Sequence, residues 1–113
     1  MNDRPKTREY KNMLFDFYGA LLTEKQREIY TMHHDEDCSL AEIGEAINVT
    51  PQAVSDTLKR ADGKLNNYEK KLGLIAKHRI KQIFADEIEQ TLDKLEKSEQ
   101  VDKIRKALDK LML

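Results

Sequence analysis

Cysteine is almost absent from this sequence. Cys38 is the only one in 113 residues, which excludes an internal disulfide framework and favours a reducing compartment. Tryptophan is missing and aromatics make up 6% of the chain, so any core is modest and built from aliphatic helix faces. There are four glycines and two prolines, too few to punctuate an all-β fold. The glycines, at 19, 44, 63 and 73, stand too far apart to cradle a phosphate in one loop. No apolar run is long enough to span a bilayer, and Met1 to Tyr10 carries no apolar stretch behind its charges. A cytoplasmic protein without a membrane segment is the expectation. No Ser/His/Asp or Cys/His signature stands out, and the many carboxylates read as solvated helix faces. Neither an enzyme nor a cofactor is expected.

Charge is what the chain has in abundance, at 36% of residues, and the formal net charge of −1 hides an asymmetry. Residues 1–50 hold six Lys/Arg against ten Asp/Glu. Residues 59–81 hold eight (Lys59, Arg60, Lys64, Lys70, Lys71, Lys77, Arg79 and Lys81) against two acids, Asp62 and Glu69. Residues 82–113 turn acidic again, six against eight. One basic segment in an acidic frame suggests either an anionic partner or a helix face that pairs with acidic protein surface.

Helical periodicity runs throughout. A first helix is expected from about Arg4 or Pro5 to Tyr18, with Met13, Leu14, Phe17 and Tyr18 on one face and Gly19 ending it. Thr23-Glu24-Lys25-Gln26 and Ser39-Leu40-Ala41-Glu42 are capping boxes, each opening a helix. The first of these runs to about His34, and Asp35-Glu36-Asp37 forms a solvated loop. The second is short and ends near Ile47, where Asn48 suits the left-handed turn position. Thr50 caps the next helix and Pro51 fits its first turn. Nothing breaks that helix before Gly73. Val54, Leu58, Ala61, Leu65, Tyr68 and Leu72 form a heptad-like stripe along it, and Leu58, Leu65 and Leu72 suit either an internal core or a seam between two copies. Two more helices are expected: one from Leu74 towards Leu95 with Ile80, Phe84, Ile88, Leu92 and Leu95 as its apolar edge, and one after Ser98 with Val101, Ile104, Leu108 and Leu111 inward. The fold class is all-α, with a helix-turn-helix domain over residues 1–72 and a C-terminal helical extension over 73–113.

Leu40 to Arg60 is the informative stretch. Two helices crossing at a tight turn need small or apolar residues at fixed places. Ile43 and Ile47 supply the inner face of the first helix, and Gly44 is small at the crossing. Asn48 makes the turn with Val49 plugged behind it. Val54 and Leu58 anchor the second helix. Its exposed face offers Pro51, Gln52, Ala53, Ser55, Asp56 and Lys59. Only Gln52 is a good base reader and Ser55 a weak one, and Asp56 repels phosphates. Basic charge begins at Lys59, where it grips a backbone without reading bases.

His33, His34 and Cys38 invite a metal reading. Adjacent helical histidines point about 100° apart, and a structural zinc site wants four ligands at paired spacing. Helix-end histidines beside the C-terminal dipole and a partly buried thiol are the expectation, with no metal.

The runs Leu22-Thr23-Glu24-Lys25-Gln26-Arg27, Ser39-Leu40-Ala41-Glu42-Ile43-Gly44 and Val49-Thr50-Pro51-Gln52-Ala53-Val54 resemble region 4 of bacterial sigma factors, a helix-turn-helix domain that contacts promoter DNA. Where sigma-type readers place basic residues on the second helix, this chain has Pro51, Gln52, Ala53 and Ser55. A resemblance over the whole chain is to the YlxM family. It rests on Leu14-Phe15-Asp16-Phe17-Tyr18, Leu21-Leu22-Thr23, the motif above, and Leu65-x-x-Tyr68-Glu69-x-Lys71-Leu72. It implies a small bacterial regulatory protein that binds nucleic acid and acts in the signal recognition particle pathway. The partners it implies are DNA, the particle's RNA or its GTPase. The alternative is a protein-interaction module, including a homodimer, that reads no DNA sequence.

Overall fold

Five side-chain N-caps and two left-handed helix ends partition the described residues. A computed structural model describes residues 7–113 and contains α1 (Arg8–Tyr18), a 3₁₀ turn (Gly19–Leu21), α2 (Glu24–His34), α3 (Leu40–Ile47), α4 (Pro51–Leu72), α5 (Leu74–Asp93) and α6 (Glu99–Leu111). There is no strand among the described residues. The fold is all-α and contains a helix-turn-helix.

The expected start of α1 at Arg4 or Pro5 lies outside the described residues. The helix begins at Arg8 because Thr7 is extended and its hydroxyl accepts the Tyr10 amide. Both capping boxes are complete, Thr23 with Gln26 and Ser39 with Glu42. Asn48 sits at φ 60° and closes α3, while Gly73 at φ 64° closes α4. Gly19 is right-handed instead and leads α1 into the 3₁₀ turn.

Two compact units result, one ending at Ile75 and the other spanning Ala76–Leu113. In the first, α4 packs against α1, α2 and α3. Its stripe of Val54, Leu58, Ala61 and Leu65 is buried against Tyr10, Leu14 and Tyr18 of α1, Ile29 and Tyr30 of α2, and Ile43 of α3. Each such side chain contributes on the order of 2 kcal/mol by leaving water. Of the two alternatives for this stripe, Leu58 and Leu65 take the internal core and not a seam between copies. Only Leu72 emerges from it. On α1 the inward set is Tyr10, Leu14 and Tyr18; Met13 is half-buried and Phe17 faces outward. The four-residue step from Tyr10 to Leu14 to Tyr18 keeps one narrow stripe inside, and Phe17 falls at its border, about 60° round from Leu14, where it is 37% exposed.

Tyr30 is wholly buried between Phe15, stacked at 4.9 Å, and His34, stacked at 4.1 Å. Its hydroxyl has no well-formed hydrogen bond among the described residues, so Asp62 acts on it mainly through charge. Burial, with Asp62 beside it, raises the phenol far above its ordinary value. Burial also lowers the His34 pKa, helped by the charge of His33. A histidine that is harder to protonate when folded stabilises the protein above its unfolded pKa of 6.5, and that contribution is lost as pH falls through the folded value. The urea midpoint is expected to drop between pH 7.5 and pH 5.5. His34→Gln should flatten that profile, and an equally steep profile in the variant rules the residue out as its source.

In the second unit Ala85 and Leu92 of α5 and Val101 and Leu108 of α6 are buried. Ser98 caps α6. Arg105 donates to Glu89 and to Asp93 of α5 at 2.5 and 2.7 Å, folding α6 back along α5. Contrary to the sequence reading, Ile80, Phe84, Ile88 and Leu95 are exposed, as are Ile104 and Leu111. Two helices alone bury one stripe each, so the second apolar stripe on each stays in solvent.

Candidate nucleic-acid interface

The turn of the helix-turn-helix is held by backbone. The Val49 amide donates to the Gly44 carbonyl at 2.9 Å. A Cβ added at Gly44 would lie 2.6 Å from the Val49 carbonyl oxygen. Gly44 is thus required by the returning turn itself rather than by a side chain of the crossing helix. Thr50 accepts the Ala53 amide and starts α4 with Pro51 in its first turn.

Of the proposed contact residues, Gln52, Ser55, Lys59, Arg60, Lys64, Lys70 and Lys71 all lie on α4. Lys59, Arg60, Lys70 and Lys71 are exposed and share its outer half with Asn66 and Asn67. The two basic pairs are separated by eleven residues, about 16 Å along the helix. Gln52 is exposed, but its amide donates to Asp56 at 3.0 Å, so the best base reader is already occupied by an acid. Ser55 is half-buried. Lys64 departs from the outer set: it is half-buried and donates at 3.2 Å to Gln26, the residue that completes the α2 capping box. Lys77, Arg79 and Lys81 are exposed on α5 and belong to the second unit, so the boundary after Ile75 divides the basic segment between two units.

The two acids inside the basic segment both leave its outer face. Asp62 is half-buried and exerts its charge on Tyr30 and His34. Glu69 is only 2% exposed. It accepts the Tyr18 hydroxyl at 2.5 Å and the Ile75 amide at 2.9 Å, while the Tyr18 oxygen accepts the Leu74 amide at 3.0 Å. Burial and the Glu69 hydrogen bond raise the Tyr18 pKa, so the phenol stays a donor. The sequence reading missed this latch because it counted Glu69 as surface charge. The available signal was its position four residues after Leu65, on the edge of the buried stripe.

Elsewhere, a shallow hollow of about 490 Å³ is lined by Arg8, Lys11, His33, His34, Asp37, Cys38 and Ser39. Arg8 donates to the His34 carbonyl and to Asp37. His33 Nδ1 lies 3.1 Å from the Cys38 carbonyl oxygen, a backbone contact. Desolvation and the carboxylates of Glu42, Glu36 and Asp37 push the Cys38 thiol upward, the opposite of what a nucleophile needs. No helix among the described residues is long and apolar enough to cross a membrane.

Comparison with known proteins adds a family. Residues 5–105 match the model of UPF0122, described as "Putative helix-turn-helix protein, YlxM / p13 like". A UPF0122 protein of Thermoanaerobacter sp. (strain X514) is 48% identical over 88 residues, covering 78% of this chain and 69% of the relative. One from Desulforamulus reducens is 46% identical over 96 residues, covering 85% and 82%. One from Halalkalibacterium halodurans is 41% identical over 100 residues, covering 88% and 92%.

Proposed function

Because the chain belongs to the YlxM/p13-like helix-turn-helix family, UPF0122, we propose that it is a regulatory nucleic-acid-binding protein that grips the phosphate backbone through the outer face of α4. The observation that carries this reading is the inward turn of Asp62 and Glu69, which leaves Lys59, Arg60, Lys70 and Lys71 on a face stripped of its own acids over those residues. Cation pairs about 16 Å apart straddle a groove roughly 12 Å wide and reach phosphates on both walls. Gln52 is bound to Asp56 and contributes little readout, so affinity depends weakly on sequence. Duplex RNA, recognised through shape and backbone, is the alternative to DNA, and the RNA of the signal recognition particle, with a role in that pathway, is the one the family resemblance suggests.

The test is charge reversal of Lys59, Arg60, Lys70 and Lys71 to Glu. All four are exposed, so the variant should keep its circular dichroism spectrum. Its affinity for a duplex at low salt should fall by about 100-fold or more, because four phosphate contacts are lost. Unchanged affinity refutes the footprint. A second reading, docking on protein components of the particle, is favoured by the exposed apolar side chains of α5 and α6. Recovery of the particle's GTPase after nuclease treatment would support it.

A further inference from the structure

We propose that the α5–α6 hairpin is a dimerisation element, and that its outer apolar face is covered by a second copy of this chain in antiparallel orientation. The face is specific. Ile80, Phe84 and Ile88 follow one another at four-residue steps on α5, at 55%, 58% and 41% exposure, so they form a single stripe. Ile83 borders it. On α6, Ile104 and Leu111 are one heptad apart and also exposed. Arg105 closes one edge of the hairpin on Glu89 and Asp93. Helical spacing puts both apolar stripes on the edge away from those ion pairs, where they make one continuous surface. Six large apolar side chains, each about half exposed or more, offer several hundred Å². That is the order of the roughly 800 Å² per partner that stable interfaces bury.

Charge selects the occupant. The first half of α5, LIAKHRIKQ, carries Lys77, Arg79 and Lys81 and no acid. The second half, IFADEIEQTLD, carries Asp86, Glu87, Glu89 and Asp93 and no base. This order opposes the helix dipole, which favours acids at the start and bases at the end. Within one helix it is therefore unfavourable. Across a two-fold axis it becomes favourable, because antiparallel α5 helices set the basic half of each beside the acidic half of the other. An isologous interface needs that kind of self-complementarity. Phe84 lies at the midpoint of Leu74–Asp93, and Ile80 and Ile88 flank it symmetrically, so the apolar stripe is centred where the axis would pass. Glu89 and Asp93 are engaged by Arg105, and Asp86 accepts the Gln82 amide on the far side of the helix, which leaves Glu87 to meet Lys81 of the second copy, three residues either side of Phe84. An anionic membrane surface or an anionic partner would be repelled by the acidic half. The proposal does not depend on nucleic-acid binding. If both hold, one dimer presents two copies of α4.

Sedimentation of the full chain tests it. At tens of micromolar the wild type should run at twice its 13.2 kDa mass. Phe84→Glu should run as a monomer with unchanged helix content, since the side chain it replaces is more than half exposed. Lys81→Glu should raise the dissociation constant at least about tenfold, because it sets like charges opposite each other twice across the axis. Adding Glu87→Lys should restore it, because the opposed charges match again. A monomeric wild type overturns the proposal. So does a dimer that survives Phe84→Glu, or a Lys81 reversal that Glu87→Lys fails to rescue.

Discussion

Gly44→Val lowers the stability of the helix-turn-helix unit by about 3 kcal/mol, the upper end of what overpacking typically costs. The reason is the position of the obstacle. A Cβ at residue 44 would sit 2.6 Å from the Val49 carbonyl oxygen and 3.4 Å from the Pro51 nitrogen. These are backbone atoms of the turn between α3 and α4, and they have no rotamer through which to escape. Relief requires moving the turn, which pulls the Val49 amide off the Gly44 carbonyl and disturbs Asn48 at its left-handed angle. The melting temperature should fall by roughly 15 °C at this domain size. Gly63→Ala is the control. Gly63 lies within α4 and a Cβ there meets nothing within 4 Å, so only backbone freedom changes, and stability should rise by up to about 1 kcal/mol. Equal effects at the two glycines would show that helix propensity, and not the turn, governs residue 44.

The Tyr18–Glu69 latch is the second large effect. Glu69→Leu removes the acceptor of the Tyr18 hydroxyl and of the Ile75 amide. Both donors are buried, and leaving each unpaired costs on the order of 1–3 kcal/mol. A loss of about 3 kcal/mol is expected. Tyr18→Phe should cost about 2 kcal/mol, since the buried Glu69 carboxyl is left with one donor fewer and the Leu74 amide loses its acceptor. The two changes act on one network. The double variant should therefore be more stable than additivity predicts by about 1 kcal/mol or more. Additive losses in urea unfolding would mean the two residues contribute separately. Amide exchange at Ile75 should also quicken in Glu69→Leu, because the first turn of α5 loses its anchor.

The helix ends were legible because their determinants are local. Thr23, Ser39, Asn48, Thr50, Pro51 and Gly73 each act on backbone within a few residues, and each does so where the sequence implied. The buried stripe of α4 was legible down to Leu65 for the same reason. Its role was not: periodicity alone does not say whether Leu58 and Leu65 meet α1 to α3 or a second chain. The converse holds in α5, where an apolar edge with sound helical spacing faces solvent at Ile80, Phe84 and Ile88. Periodicity identifies a face that wants covering, not what covers it. The basic site was half legible. Lys59, Arg60, Lys70 and Lys71 are as exposed as expected, but Lys64 turns to α2 and Gln52 is taken by Asp56. Both outcomes depend on partners that counting charge along a segment does not supply. Glu69 is the clearest case. Its burial depends on Tyr18, fifty-one residues away, and no local pattern contains that contact.

The central claim is that α4 holds nucleic acid through phosphates. Affinity for one duplex, measured from about 50 to 200 mM salt, tests it most directly. Four phosphate contacts predict a slope of about −3.6 in log affinity against log salt on DNA, and nearly the same affinity for duplexes of unrelated sequence. A flat salt dependence, or strong preference for one sequence at constant salt, would contradict it.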